Sequence, residues 1–157
     1  MLFRSLGLGL SASITAAFEA LVQQVFLPRF YKNSHSLHLE TRKSNWNQTW
    51  RAAFLPYLGL TIVLAGLAPA LVAAVSGDSF PQAARYLTIG AFAELARMSG
   101  NLLTLHAQSE RNLKPTQLPY WIGALVALFG CFAAIQIGNM ELVAWSLVAG
   151  QSVATIL

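Results

Sequence analysis

Residues 87–108 read LTIGAFAELARMSGNLLTLHAQ, a stretch without proline whose only full charges, Glu94 and Arg97, lie three positions apart near its middle. At 1.5 Å per residue the run is about 33 Å long as a helix, enough to cross the hydrocarbon of a bilayer. Gly90, Glu94, Arg97, Asn101, Thr104 and Gln108 recur at 4-3-4-3-4 spacing, which puts them on one helical face. The other faces carry mainly Leu, Ile, Ala, Phe and Met, suited to lipid or to neighbouring helices. A charge at membrane depth costs about 2.5–3.5 kcal/mol on insertion scales, so a one-sided polar stripe is expected to face protein or a water-filled cavity.

Working outward, the composition agrees with a membrane setting. The chain has 157 residues, 55% hydrophobic and 10% charged, against roughly 25% charged in soluble domains. Its mean hydropathy is +0.53. The isoelectric point near 9.6 does not indicate nucleic acid, because the basic residues sit between apolar runs rather than in one aromatic-laced patch. The single cysteine, Cys131, lies inside an apolar run and reads as core filler.

Four further apolar runs predict an all-α, polytopic membrane bundle of about five transmembrane helices forming a single transmembrane domain. The expected helices are A, 6–27; B, 50–75; C, 83–108; D, 119–137; and E, 142–157. Helix A carries Ser11, Thr15, Glu19 and Gln23 every four residues, with Glu19 its one acid. Pro28 is expected to end it, since proline cannot continue the hydrogen-bond ladder. Residues 28–51 read as a polar connector that includes a short surface helix, and Trp46 and Trp50 mark the membrane interface before helix B. Pro56 and Pro69 predict kinks in helix B. Residues 76–81 and 138–141 read as turns, and 109–118 as a second basic connector opening onto Tyr120 and Trp121.

Counting basic residues orients the bundle. The connectors 28–51 and 109–118 hold seven Lys or Arg, namely Arg29, Lys32, Arg42, Lys43, Arg51, Arg111 and Lys114. Arg4 and Arg85 are the two on the other side. The positive-inside rule therefore puts both connectors in the cytoplasm and the amino-terminal end outside. No basic leader with a cleavage site opens the sequence. An outside start, together with a last apolar run of about sixteen residues, reads as part of a longer chain.

Metal and catalytic chemistry find little support in the residue pattern. His35 and His38 lack a third ligand at usable spacing, so no metal or other cofactor is expected. Nucleophile and base pairs at a membrane surface are missing too, apart from His35, His38 and Glu40 on one connector, so an enzyme is not expected.

The helix ending FLPRFY, the basic connector leading into a Trp-led helix, and RYLTIGAFAELARMSGNLLTLHAQSERNLKPTQLPYWIGALVALFGCFAAI together resemble the polysaccharide (O-antigen type) flippases of the multidrug/oligosaccharidyl-lipid/polysaccharide exporter superfamily. The resemblance spans nearly the whole chain and rests on helix lengths, loop signs and the basic connector around Ala107, Arg111 and Lys114. It implies a bacterial inner-membrane protein with about a dozen helices in two related bundles, moving an undecaprenyl-pyrophosphate-linked oligosaccharide by alternating access. Helices A to E would be the second to sixth of one bundle, with a lean towards the carboxyl-terminal one, and the remaining helices would be partners beside the lipid bilayer. The family supplies no invariant catalytic motif to carry over.

On this reading Arg97 lines the central cavity and attracts an anionic group of the substrate, with Glu94 holding it when substrate is absent. Asn101, Thr104, Glu19 and Gln23 complete the candidate cavity lining. Asn101 and Thr104 would contact sugar hydroxyls or neighbouring helices. Two other readings of the charges stay open at this point: an interhelical clamp between Arg97 and Glu19, and Glu19 as a protonatable site for ion coupling. For the chain as a whole, the alternatives are a noncatalytic assembly subunit whose stripe binds partner helices, and a membrane-embedded enzyme acting on lipid-linked sugars.

Overall fold

A computed structural model of the chain describes residues 2–34, 39–77, 80–109 and 114–156, all helical apart from short turns. Five helices follow in order: α1 (Leu2–Ser34), α2 (Leu39–Ser76), α3 (Ala83–Ser109), α4 (Lys114–Ile137) and α5 (Met140–Ile156). The number and order match the sequence reading, and helix C matches to within one residue.

Three boundaries differ from expectation. α1 does not stop at Pro28 but continues through it to Ser34. A proline removes one backbone bond, and the rest of a 33-residue ladder persists around that defect. α2 begins at Leu39 rather than near residue 50, so Trp46 and Trp50 lie within it and 28–51 is mostly helix, not a connector. Along α2 the rings of Trp46 and Trp50 sit 6.0 Å apart, and Trp50 stacks on Phe54 at 5.5 Å, a side-chain ladder that favours continuing the helix. α4 begins at Lys114, with Pro115 in its first turn, where the missing N–H has no partner to lose, so 109–118 is also largely helical. His35, His38 and Arg111 lie outside the described residues.

By length and composition Ser5–Phe26, Trp46–Ser76 and Gln117–Ile137 are apolar enough to cross a membrane, whereas Glu141–Ile156 is a shorter apolar helix. α3 has the length, 27 residues, but its polar stripe lowers its hydropathy. It runs side by side with α1: Gly7 meets Ala83 and Leu87, Ser11 meets Gly90, and Glu19 meets Arg97. These pairings advance together along both helices, so α1 and α3 are parallel.

α3 is the hub of the bundle. It packs against α1, α2 and α5, while α4 attaches chiefly to α5. Against α2 it runs antiparallel, burying Ala83, Leu87 and Ala91 with Leu64, Ala68 and Val72 at one end. At the other end Met98 and Leu102 pack with Ala53 and Tyr57. α5 is parallel to α3, with Arg85 paired to Glu141 at 2.8 Å at their amino-terminal ends and Thr155 Oγ1 donating to the Ala96 carbonyl at 3.1 Å further along. The helices therefore alternate up and down.

Lipid offers no hydrophobic drive between helices, so close backbone approach through small residues has to hold such a bundle. Ser146, Gly150 and Ala154 form a four-residue repeat on α5 facing Gly123, Ala127 and Gly130 on α4. A Cβ added at Gly150 would stand 2.6 Å from the Gly123 carbonyl oxygen, and one at Gly123 would stand 2.5 Å from that of Gly150. The tight α4–α5 pairing begins at the turn between them. Gly138, at φ 72°, closes α4 as its N–H donates to Ile135 O at 3.0 Å, and Asn139 N donates to Ala134 O at 3.1 Å. This is the Schellman arrangement, which a left-handed glycine permits without strain. Asn139 Oδ1 then accepts from Glu141 N at 3.0 Å and caps α5.

Candidate functional site

The 33 residues of α1 present Gly7, Ser11, Thr15 and Glu19 in a four-residue repeat, all buried against the bundle. Ser11 and Thr15 satisfy their hydroxyls on the helix's own carbonyls at Leu8 and Ser11, at 2.9 and 2.7 Å. That local solution leaves the face small and uncharged, which lets α3 approach until Gly90 lies against Ser11. One turn past Thr15 the pattern changes, and Glu19 needs partners from outside its helix.

α3 supplies them from its stripe. Arg97 donates through a terminal guanidinium nitrogen to Glu19 Oε2 at 2.7 Å and through Nε to Glu94 Oε2 at 2.7 Å. Asn101 Nδ2 donates to Glu19 Oε1 at 2.9 Å, and Gln23 Nε2, one turn along α1, donates to the same oxygen at 3.1 Å. Five of the six candidate residues therefore meet in one network. Arg97 sits midway along α3, about 20 Å from either end, and Glu19 lies within Ser5–Phe26, a segment long and apolar enough to cross a membrane.

The charges in this cluster do not cancel. Two carboxylates face one guanidinium, which leaves the cluster one negative charge in excess. Glu19 is deeply buried and accepts three hydrogen bonds, whereas Glu94 accepts one, from Arg97. Arg97 keeps 35% of its side chain exposed, more than either acid at 10% and 18%.

Thr104, the sixth candidate, stands apart from the network. Its hydroxyl donates to the Gly100 carbonyl at 3.0 Å and lies 3.0 Å from the Tyr120 hydroxyl on α4. Through this contact Tyr120 holds the start of α4 over α3. Gly90 is a packing position, and the side chain of Gln108 is not among those described.

Sequence reasoning missed Tyr57. It is fully buried on α2, its ring edge-on to Phe18 at 6.1 Å, and its phenol lies within electrostatic reach of both Glu19 and Arg97. Nothing marked it, because a tyrosine next to a proline in an apolar helix reads as packing. Tyr57 also lines a narrow apolar groove between α1, α2 and α3, together with Val22, Phe26, Trp46, Ala53 and Leu102. Gln23, a member of the network, lines the same groove.

Among the described residues no group of three or more His, Cys, Asp or Glu is placed to hold a metal ion. The site brings a guanidinium, two amides and a phenol next to an apolar surface. No family model, no curated protein and no solved structure matches this chain.

Proposed function

We propose that this chain is part of a membrane transporter that moves an anionic, lipid-linked saccharide across a bacterial inner membrane by alternating access, with Arg97 as the contact for the anionic group. The observation that carries this reading is the juxtaposition at membrane depth of a partly exposed guanidinium and an apolar groove. A lipid-linked diphosphate has the same two parts. Its oxyanions suit the planar donors of arginine, and its hydrocarbon chain suits the walls formed by Phe26, Trp46 and Leu102. Asn101 and Gln23 add amide groups beside the charge for neighbouring hydroxyls. The basic residues of 28–51 and 109–118 support a cytoplasmic location for that end of the bundle.

A second reading is favoured by the Glu19–Arg97 pair itself, which is a direct bond between two helices. There the network is a clamp between α1 and α3, and the chain is a noncatalytic assembly subunit whose stripe binds helices of a partner protein. Flipping of a fluorescent lipid-linked sugar in proteoliposomes decides between them. If Arg97 binds substrate, Arg97→Ala and Arg97→Lys both lose at least tenfold in rate while remaining folded, because an ammonium cannot reproduce the planar fork. Full activity in both variants overturns the substrate role.

A further inference from the structure

The charged network leaves hydrogen-bonding capacity unused, and what is left points to the ligand it would take, resting on the reading of Arg97 as an anion contact. A guanidinium carries five N–H donors. Arg97 spends one on Glu94 through Nε and one on Glu19 through Nη2, so three stay uncommitted among the described residues. An oxyanion can take these without displacing either carboxylate. Glu94 accepts on Oε2 alone, and its Oε1 has no partner among the described residues. Asn101 and Gln23 each give one N–H to Glu19 Oε1, which leaves each amide a second N–H and a carbonyl oxygen.

Charge alone makes a poor handle here. A bare oxyanion would bring a further negative charge to a cluster that already has one in excess, and like charges close together repel. A bound anion therefore needs another contact, and the free oxygen of Glu94 offers one that only a hydrogen-bond donor can use. Glu94 Oε2 lies 2.7 Å from Arg97 Nε, so Oε1 stands no farther from that nitrogen than one hydrogen bond plus the width of a carboxyl group. A sugar bearing a phosphate spans that distance, with an oxyanion at one end and hydroxyls beside it. A hydroxyl donates as well as accepts, and its bond to a carboxylate is about twice as strong as one between neutral groups.

We propose that Glu94 is the specificity residue of this site: its Oε1 accepts a hydrogen bond from a hydroxyl of a glycosyl phosphate whose oxyanion rests on the free N–H donors of Arg97. The Arg97–Glu94 bond stays intact, and the pair recognises two features of one ligand. A lipid diphosphate without a sugar has no hydroxyl for Glu94 and keeps the repulsion, so the site discriminates a loaded carrier from an empty one. Of the two acids Glu94 is the one placed for this contact. It keeps 18% of its side chain exposed against 10% for Glu19, whose two oxygens are both taken.

The test measures binding to the full chain in phosphatidylcholine nanodiscs with two probes of equal charge, an undecaprenyl-diphosphate-linked hexose and the methyl diester of undecaprenyl diphosphate. The first carries sugar hydroxyls and the second none. The wild type is expected to bind the glycosylated lipid about tenfold more tightly or better, the worth of one hydrogen bond to a charged acceptor. Glu94→Ala removes the hydroxyl contact and one negative charge together. The methyl diester then gains affinity while the glycosylated lipid does not, and the preference falls below about threefold. Glu94→Gln, which keeps the shape of the side chain, lowers the preference by a smaller factor. A merely structural role for Glu94 would not separate the probes, because a misplaced Arg97 weakens both alike. Equal binding of the two probes by the wild type, or a preference that survives both variants, overturns the role of Glu94 and leaves the transport reading standing. Binding of neither probe by the wild type overturns both.

Discussion

Arg97 on α3 and Glu19 on α1, 78 positions apart in sequence, are joined by a 2.7 Å charge-assisted hydrogen bond in the middle of two parallel helices. The bond fixes the register of α1 on α3, because sliding either helix by one turn separates the pair and brings Ser11 off Gly90. Glu19→Ala is therefore expected to destabilise the protein by about 1–3 kcal/mol, since it removes one partner and leaves a partly buried guanidinium short of an acceptor. Glu94→Ala should cost less, because Glu94 joins residues within one helix turn. Unfolding in a mild detergent, followed by circular dichroism, measures both. Equal losses would contradict the primacy of the interhelical bond.

The α4–α5 seam predicts a sharp contrast among glycines. Gly150→Leu is expected to prevent α4 from docking, because even a Cβ there meets the Gly123 carbonyl. Gly9, with nothing near its Cβ position, should accept alanine and gain about 0.5–1 kcal/mol from helix propensity. Oxidative cross-linking of cysteines placed at Ala127 and Ser146 reports the seam: Gly150→Leu should abolish the cross-link, and Gly9→Ala should preserve it. A cross-link that survives Gly150→Leu would contradict the packing described.

Gly7 and Gly90 differ in what a side chain would meet. At Gly7 the obstacle is the backbone of Ala83 and Leu87, which cannot rotate away. At Gly90 it is chiefly the Ser11 hydroxyl. Gly90→Ala should lower the unfolding midpoint, and Ser11→Ala in the same chain should restore part of the loss. Ser11→Ala should not rescue Gly7→Ala. Equal rescue of both would show that the α1–α3 contact is looser than described.

Tyr120→Phe tests whether Thr104 belongs to the charged network. Only the Thr104–Tyr120 bond is lost, so stability should fall by about 0.5–1.5 kcal/mol while anion affinity stays within twofold. A tenfold change in affinity would bring Thr104 and Tyr120 into the binding site.

Much of this architecture was legible in the chain because its breaks are chemical. Ser76 to Pro81 and Gly138–Asn139 interrupt apolar runs with turn residues, and the helices end there. Pro28 misled because a single lost backbone bond is a weaker signal than a run of turn residues. The stripe from Gly90 to Thr104 was visible as a period, and the acid on α1 was visible as an exception. Their meeting was not fixed by period alone, because which helices adjoin depends on backbone approach at Gly7, Ser11 and Gly90. Tyr57 was invisible for the same reason: its importance comes from the neighbours that α1 and α3 bring to it, not from its own surroundings in sequence.

The central claim is that Arg97 both clamps α1 to α3 and offers its charge to an anionic substrate, and a charge swap separates the two roles. The double variant Glu19→Arg, Arg97→Glu keeps an ion pair between the helices but moves the guanidinium to the deeply buried side of α1. Stability of the swapped protein should recover most of what either single change loses, while flipping of a lipid-linked sugar in proteoliposomes should stay at least tenfold below wild type. Recovery of flipping along with stability would contradict the substrate role and leave Arg97 as a clamp alone.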